Sequence, residues 1–154
     1  MPTGQSTTGT LGAAGLLVGR LLLALIFVHE GWSIIGNYSG TAAYMQKFGV
    51  PGILLPAVLS LELGGGLLIA VGVLTRVFAA TLVVFCLLTA VLFHWHFADR
   101  NQLLHFEKNL GIAGGLLVLA ISGPGSWSVE RYITPCWRSV LSVGLIWIPM
   151  HWRT

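Results

Sequence analysis

Charged side chains are scarce. Asp, Glu, Lys and Arg make up 8% of the 154 residues, against roughly 25% in soluble domains. Hydrophobic residues account for 55% and the mean hydropathy is +0.84. That balance excludes a soluble enzyme or binding module, and the length accommodates one helical unit rather than two domains. The net charge of +3 comes from few groups in short connections. In a membrane protein such charges bear on orientation and not on nucleic acid. Cysteine is nearly absent: Cys86 lies inside an apolar run, Cys136 follows Pro135, and no CxxC pair exists, so no thiol-redox motif is present. Both cysteines read as packing or incidental residues. There is no Gly-rich phosphate loop, dinucleotide fingerprint or CxxCH haem site, and so no self-sufficient catalytic motif. Alternating apolar segments are missing, which argues against a β-barrel. Met1 to Thr10 is polar and uncharged, without the basic region of a signal peptide.

What the chain does have is long apolar runs. Spans are expected at about 11–35, 52–74, 77–97 and 108–123, each able to cross ~30 Å of hydrocarbon, the last with its ends snorkelling. Residues 1–10 form a polar segment, 11–124 the four-span domain and 125–154 a Trp-rich tail. The predicted fold is all-α: an integral membrane four-helix bundle with an interfacial C-terminal tail. Ile133 to Met150 is apolar but broken by Pro135, Arg138 and Pro149, so a tail anchored by Trp127, Trp137, Trp147 and Trp152 is preferred to a fifth span. Between the first two spans, Tyr38, Tyr44, Met45 and Phe48 are spaced like a short amphipathic surface helix. Thr75-Arg76 reads as a tight hairpin, and Gly123-Pro124-Gly125 as a helix stop. Arg76, Arg131, Arg138 and Arg153 on one side, against Lys47, Arg100 and Lys108 on the other, place both termini in the cytoplasm by a narrow margin. Gly15-x-x-x-Gly19, Gly111-x-x-x-Gly115 and Gly64 to Gly66 are small-residue faces suited to helix packing.

Two charged residues, Arg20 and Glu62, fall deep inside the spans. A charge there costs ~3 kcal/mol on insertion scales, so each calls for a partner or a function. Counting from the run ends, Arg20 is ~14 Å deep and Glu62 ~18 Å from the same face. The expectation is that they pair or share a polar cavity, either as a structural ion pair or as a proton- or quinone-handling site. Gly64 to Gly66 would let a flat ring approach beside Glu62. At the opposite surface gather His29, Glu30, His94, His96, His105, Glu107 and Lys108. No metal site is assigned there, because His94 and His96 point to different sides of a helix and no HxxxH or ExxH repeat occurs. A weak metal alternative is His29, Glu30, His94 and His105. His94, at the last apolar turn, is singled out as a headgroup or ligand contact.

The segments GRLLLALIFVHEGWSIIGNYSGTAAYM, GVPGILLPAVLSLELGGGLLIAVGVLTR, FCLLTAVLFHWHFA and KNLGIAGGLLVLAISGPGSWSVER, in this order and spacing, resemble the DoxX family of small membrane proteins. The likeness is closest to its short four-helix inner-membrane subgroup and covers roughly Leu16 to Tyr132. The resemblance implies a four-helix transmembrane bundle. It also implies association with quinol oxidase or thiosulfate:quinone oxidoreduction, or with thiol-handling partners. The family's recurrent polar positions map onto Arg20, Glu62, Arg76, His94, Lys108 and Asn109. Members often carry a lysine shortly after the Gly-Trp ending the first span, where this chain has Ser33, Ile34 and Ile35 after Gly31-Trp32. His29-Glu30 reads as its replacement.

The expected function is therefore that of a membrane subunit or anchor of a quinone-linked oxidoreductase system in the inner membrane. Its pocket for a quinone or other apolar molecule would be formed by Arg20, Glu62, Gly65, His94, Lys108 and Asn109. Partners would be the lipid bilayer and a second protein or copy of the chain. The alternative is a non-catalytic scaffold that recruits partner proteins. A small-molecule permease ranks below both, since no inverted repeat or broken helix is evident.

Overall fold

The computed structural model describes residues 7–133. Every regular element among them is a helix. Four are long and apolar enough to cross a membrane: Gly9–Gly36 (within the helix Thr7–Gly36), Gly52–Val71, Thr75–Phe93 and Arg100–Ser122. They are called here the first to fourth spans. A surface helix, Tyr38–Lys47, joins the first two and buries Met45, as its amphipathic spacing predicts. Of the expected tail, residues 125–133 with Trp127 are described, and the rest, with Trp137, Trp147 and Trp152, lies outside the described residues.

Local chemistry sets the boundaries. The second span begins after Pro51 with a 3-10 turn, Gly52–Leu54. It continues as α-helix over Leu55–Leu59, loosens into a π-helical turn at Ser60–Gly64, and resumes as α-helix over Gly65–Val71. Gly72 ends it in the left-handed region, φ +76. There Val73 N–H donates to Leu68 O at 2.9 Å and Gly72 N–H to Ile69 O at 3.1 Å, the paired bonds of a glycine C-cap. The turn is thus Gly72 to Leu74, and Thr75-Arg76, expected as the hairpin, already form the first turn of the third span.

The last connection also differs from expectation. The third span stops at Phe93, short of residue 97. His94 leaves the helix to bond the fourth span, and Trp95 and Phe97 pack on Phe106 at ring separations of 5.9 and 5.0 Å. The fourth span starts at Arg100, ahead of residue 108, because Asp99 caps it: Asn101 N–H donates to Asp99 Oδ1 at 2.8 Å.

The third and fourth spans have the most extensive contact of any helix pair. With the first and second they enclose a core of Ala24, Phe27, Ile69, Ala79, Leu82 and Leu116. The first two spans interlock through glycine. A methyl group on Gly31 would lie 2.9 Å from Leu63 Cβ and 3.0 Å from its backbone nitrogen; one on Gly66 would lie 3.1 Å from Phe27 Cβ. Such close approach is what small residues permit between membrane helices. A methyl group on Gly15 or Gly19 would meet no neighbour within 4 Å, so that expected packing face is not used among the described residues; of the Gly111–Gly115 face, Gly111 meets none, whereas Gly115 packs on the first span, 3.2 Å from Leu23 Cδ2 to an added Cβ.

Candidate functional site

The register set by Gly31 and Gly66 decides where the buried charges go. Glu62 lies level with Gly31, and Arg20 sits about 16 Å further along the bundle at ~1.5 Å per residue. The expected Arg20–Glu62 pair does not form. The depth count failed because the first helix extends from Thr7 past the bundle end, so that Arg20 is level with the close of the second span.

Arg20 is 2% exposed. Its Nη1 donates to Pro124 O at 2.5 Å and its Nη2 to Trp127 O at 2.9 Å, both just after the fourth span. Arg76 donates to Ile121 O at 2.7 Å and, at 3.4 Å, to Ala120 O and Ser122 O. The last carbonyls of a helix have no partner within it and carry the negative end of its dipole. Arg76 therefore closes the fourth span, and Arg20 ties down the segment behind it. Glu130 N–H donates to Gly72 O at 3.0 Å across the same end.

Glu62 faces the other way. It lines a cavity of about 600 Å³. Its floor is made by Ile26 and Phe27 of the first span, Glu62 of the second, Phe85 and Cys86 of the third, and Ile112 of the fourth. One turn above stand Glu30, Thr89, Lys108 and Asn109; at the mouth are Tyr44, Phe93, His94 and His105. From Leu54 to Glu62 the well is about 12 Å deep. Below Glu62 the bundle is closed by Ile69, Leu82 and Leu116, each fully buried.

The mouth is built from rings. Tyr44 of the surface helix stacks on Phe93 at 5.7 Å and lies 5.0 Å from Phe48, which meets Phe93 edge-on at 5.2 Å. The His94 and His105 rings stack at 5.0 Å, and His94 Nδ1 hydrogen-bonds Gln102 Oε1 at 2.7 Å. Thr89 Oγ1 donates to Phe85 O and Cys86 O, both at 3.0 Å. Glu62 differs from these groups. It is 9% exposed, and its Oε2 is buried without a hydrogen-bond partner. It also sits in the π-helical turn, a feature found often at functional sites.

Of the residues expected to form the pocket, Glu62, His94, Lys108 and Asn109 line one well. Arg20 and Gly65 do not. Gly65 packs on the third span, where an added Cβ would lie 3.2 Å from Phe78 Cδ1, and Gly66 packs on the first, so no flat ring lies against these glycines. Glu30 and Ser33, which stand where family members often have lysine nearby, both line the well, whereas His29 does not. The described residues hold no group of three or more His, Cys, Asp or Glu placed for a metal ion, and the alternative of His29, Glu30, His94 and His105 finds no ligand set. Sequence reasoning missed Thr89 and Gln102, and gave Cys86 to the core alone. Tyr44 and Met45 were legible as a surface helix but not as the rim of a well.

Comparison with known proteins agrees with the transmembrane fold. The DoxX family model matches residues 15–95. The chain is 50% identical over 123 residues to the inner membrane protein YqjF of Escherichia coli (strain K12), covering 80% of this chain and 95% of that protein. It is 36% identical over 124 residues to the inner membrane protein YphA of the same organism, covering 75% and 88%. No solved structure gives a significant match.

Proposed function

The chain belongs to the DoxX family, and on that footing we propose that this integral membrane protein holds a ring of the quinone class in its well. It would serve as the membrane subunit or anchor of a quinone-linked oxidoreductase system. The observation that carries the reading is Glu62: a buried, unpartnered carboxyl on the apolar floor of a well whose other charged groups stand toward its mouth. Ligand sites are typically of this kind, apolar walls with few polar groups to orient the guest. Lys108, Asn109 and His94 offer further polar contacts toward the mouth. The relatives are named inner membrane proteins, which supports the same location here. Cytoplasmic termini would then turn the well's mouth outward.

The test is binding of a short-tailed ubiquinone to the purified protein in lipid nanodiscs. The wild-type chain should bind it with one-to-one stoichiometry, and Glu62→Leu, which can neither donate nor accept, should weaken binding at least about fivefold, the loss of roughly 1 kcal/mol of hydrogen bonding, with the helical spectrum unchanged. Wild-type protein that binds no quinone would sink the reading. The scaffold reading draws on the exposed Trp95 and Phe97 beside Phe106; it expects Glu62→Leu to alter stability alone.

A further inference from the structure

We propose that Glu62 is a hydrogen-bond switch set by a single proton: ionised, it accepts from the hydroxyl of a reduced, quinol-type ring, and protonated, it donates to the carbonyl of the oxidised ring. The inference rests on the reading that the well holds a ring of this class, and adds to it a dependence on redox state and pH.

The floor of the well offers a ring little choice of partner. Ile26, Phe27, Phe85 and Ile112 are apolar, Thr89 already donates its hydroxyl hydrogen to the backbone, and Cys86 supplies only a weak thiol donor. Lys108 and Asn109 stand a turn higher. A polar ring atom at the floor therefore meets Glu62 Oε2, which has no other partner. A carboxylate only accepts, whereas a carboxylic acid can also donate. A quinone carbonyl only accepts, whereas a quinol hydroxyl can donate. Two acceptors face to face leave a buried group unsatisfied, a cost of about 1–3 kcal/mol. The one unfavourable pairing is therefore carboxylate with quinone: a quinol, which donates and accepts, is satisfied by either form of Glu62, and a quinone only by the carboxylic acid.

Protons have one route to that carboxyl. The titratable and charged groups that share the well with it are Glu30 of the first span, Cys86 and His94 of the third, His105 and Lys108 of the fourth, and Tyr44 of the surface helix. Apart from Cys86 at the floor, all lie on the mouth side. Toward the arginine-capped end stand Ile69, Leu82 and Leu116, which carry no proton. Glu62 thus equilibrates with the aqueous phase at the mouth alone.

The experiment measures, without oxygen, the dissociation constants of a short-tailed ubiquinone and of its quinol for the full chain in nanodiscs across pH. As pH rises and Glu62 ionises, the ratio of the quinone to the quinol dissociation constant should climb by up to about tenfold per pH unit, the slope of a one-proton linkage. Glu62→Gln should make the ratio independent of pH, since an amide donates and accepts at every pH. Glu62→Asp keeps a carboxyl and should keep the slope at lower affinity; it serves if the amide variant does not fold. Both rings binding at a pH-independent ratio would overturn the switch and leave the quinone reading standing. Neither ring binding would remove that reading, and the switch with it.

Discussion

Arg20 donates two hydrogen bonds to carbonyls of the segment that follows the fourth span, and it is almost wholly buried. A charge-assisted bond of this kind contributes about 1.5–3 kcal/mol. Arg20→Ala should therefore lower stability by about 3 kcal/mol, read as the thermal or denaturant midpoint in detergent, and Arg20→Lys should restore part of it. Ring binding should be untouched, because Arg20 does not line the well. A loss of affinity in Arg20→Ala equal to that in Glu62→Leu would show the two residues acting together after all. That both are buried ionisable groups was legible in the sequence, because an apolar run announces any charge inside it. Their separation was not. It depends on the register of the first two spans, which is decided by which glycines touch, and a count from run ends carries no such information.

Glycines of one helix do different work according to the face they occupy. Gly31 and Gly66 let two backbones meet, with an added Cβ falling 2.9 to 3.2 Å from Leu63, Phe27, Val28 or Ala24 O. Gly31→Ala and Gly66→Ala should each destabilise the bundle by about 1–3 kcal/mol, the usual cost of overpacking. The larger effect belongs at Gly31, where the obstruction is backbone. Gly15→Ala and Gly19→Ala meet open space and should be neutral or stabilising by up to about 1 kcal/mol through helix propensity. Chemical denaturation of the four variants side by side checks this, and equal losses at all four would mean that the Gly15–Gly19 face is packed. The sequence marked Gly15, Gly19 and Gly66 as parts of small-residue faces but could not say which meet a neighbour, and it did not single out Gly31. It misplaced the start of the fourth span for a related reason. The charges between Asp99 and Lys108 read as a connection, whereas Asp99 is a cap and the polar turns behind it line the mouth of the well.

The molecule as a whole is asymmetric along the membrane normal. One end is sealed by Arg20, Arg76 and the segment they hold; the other opens through Tyr44, Phe93, His94 and His105 to a carboxyl near the middle. Four apolar runs were enough to foresee a bundle, because spanning a bilayer leaves the backbone few alternatives to helix. The well was less legible, since its wall combines residues of five helices whose facing directions follow only from packing. A dead-end well fits a bound or exchanging ligand better than a permease, which needs access to both faces. The difference is measurable with a single cysteine. In a chain with Cys86 and Cys136 replaced by serine, Thr89→Cys places a thiol within the well, and a small water-soluble methanethiosulfonate should modify it from one side of a sealed vesicle only. That side should be the one on which a reporter places the Tyr38–Lys47 helix. Ala79→Cys, in the closed half of the bundle, should stay unmodified from either side. A bound ubiquinone should slow the reaction at position 89. Equal modification of Thr89→Cys from both sides would mean that the core of Ile69, Leu82 and Leu116 opens during the protein's motions, and would raise transport from the lowest-ranked reading to the leading one.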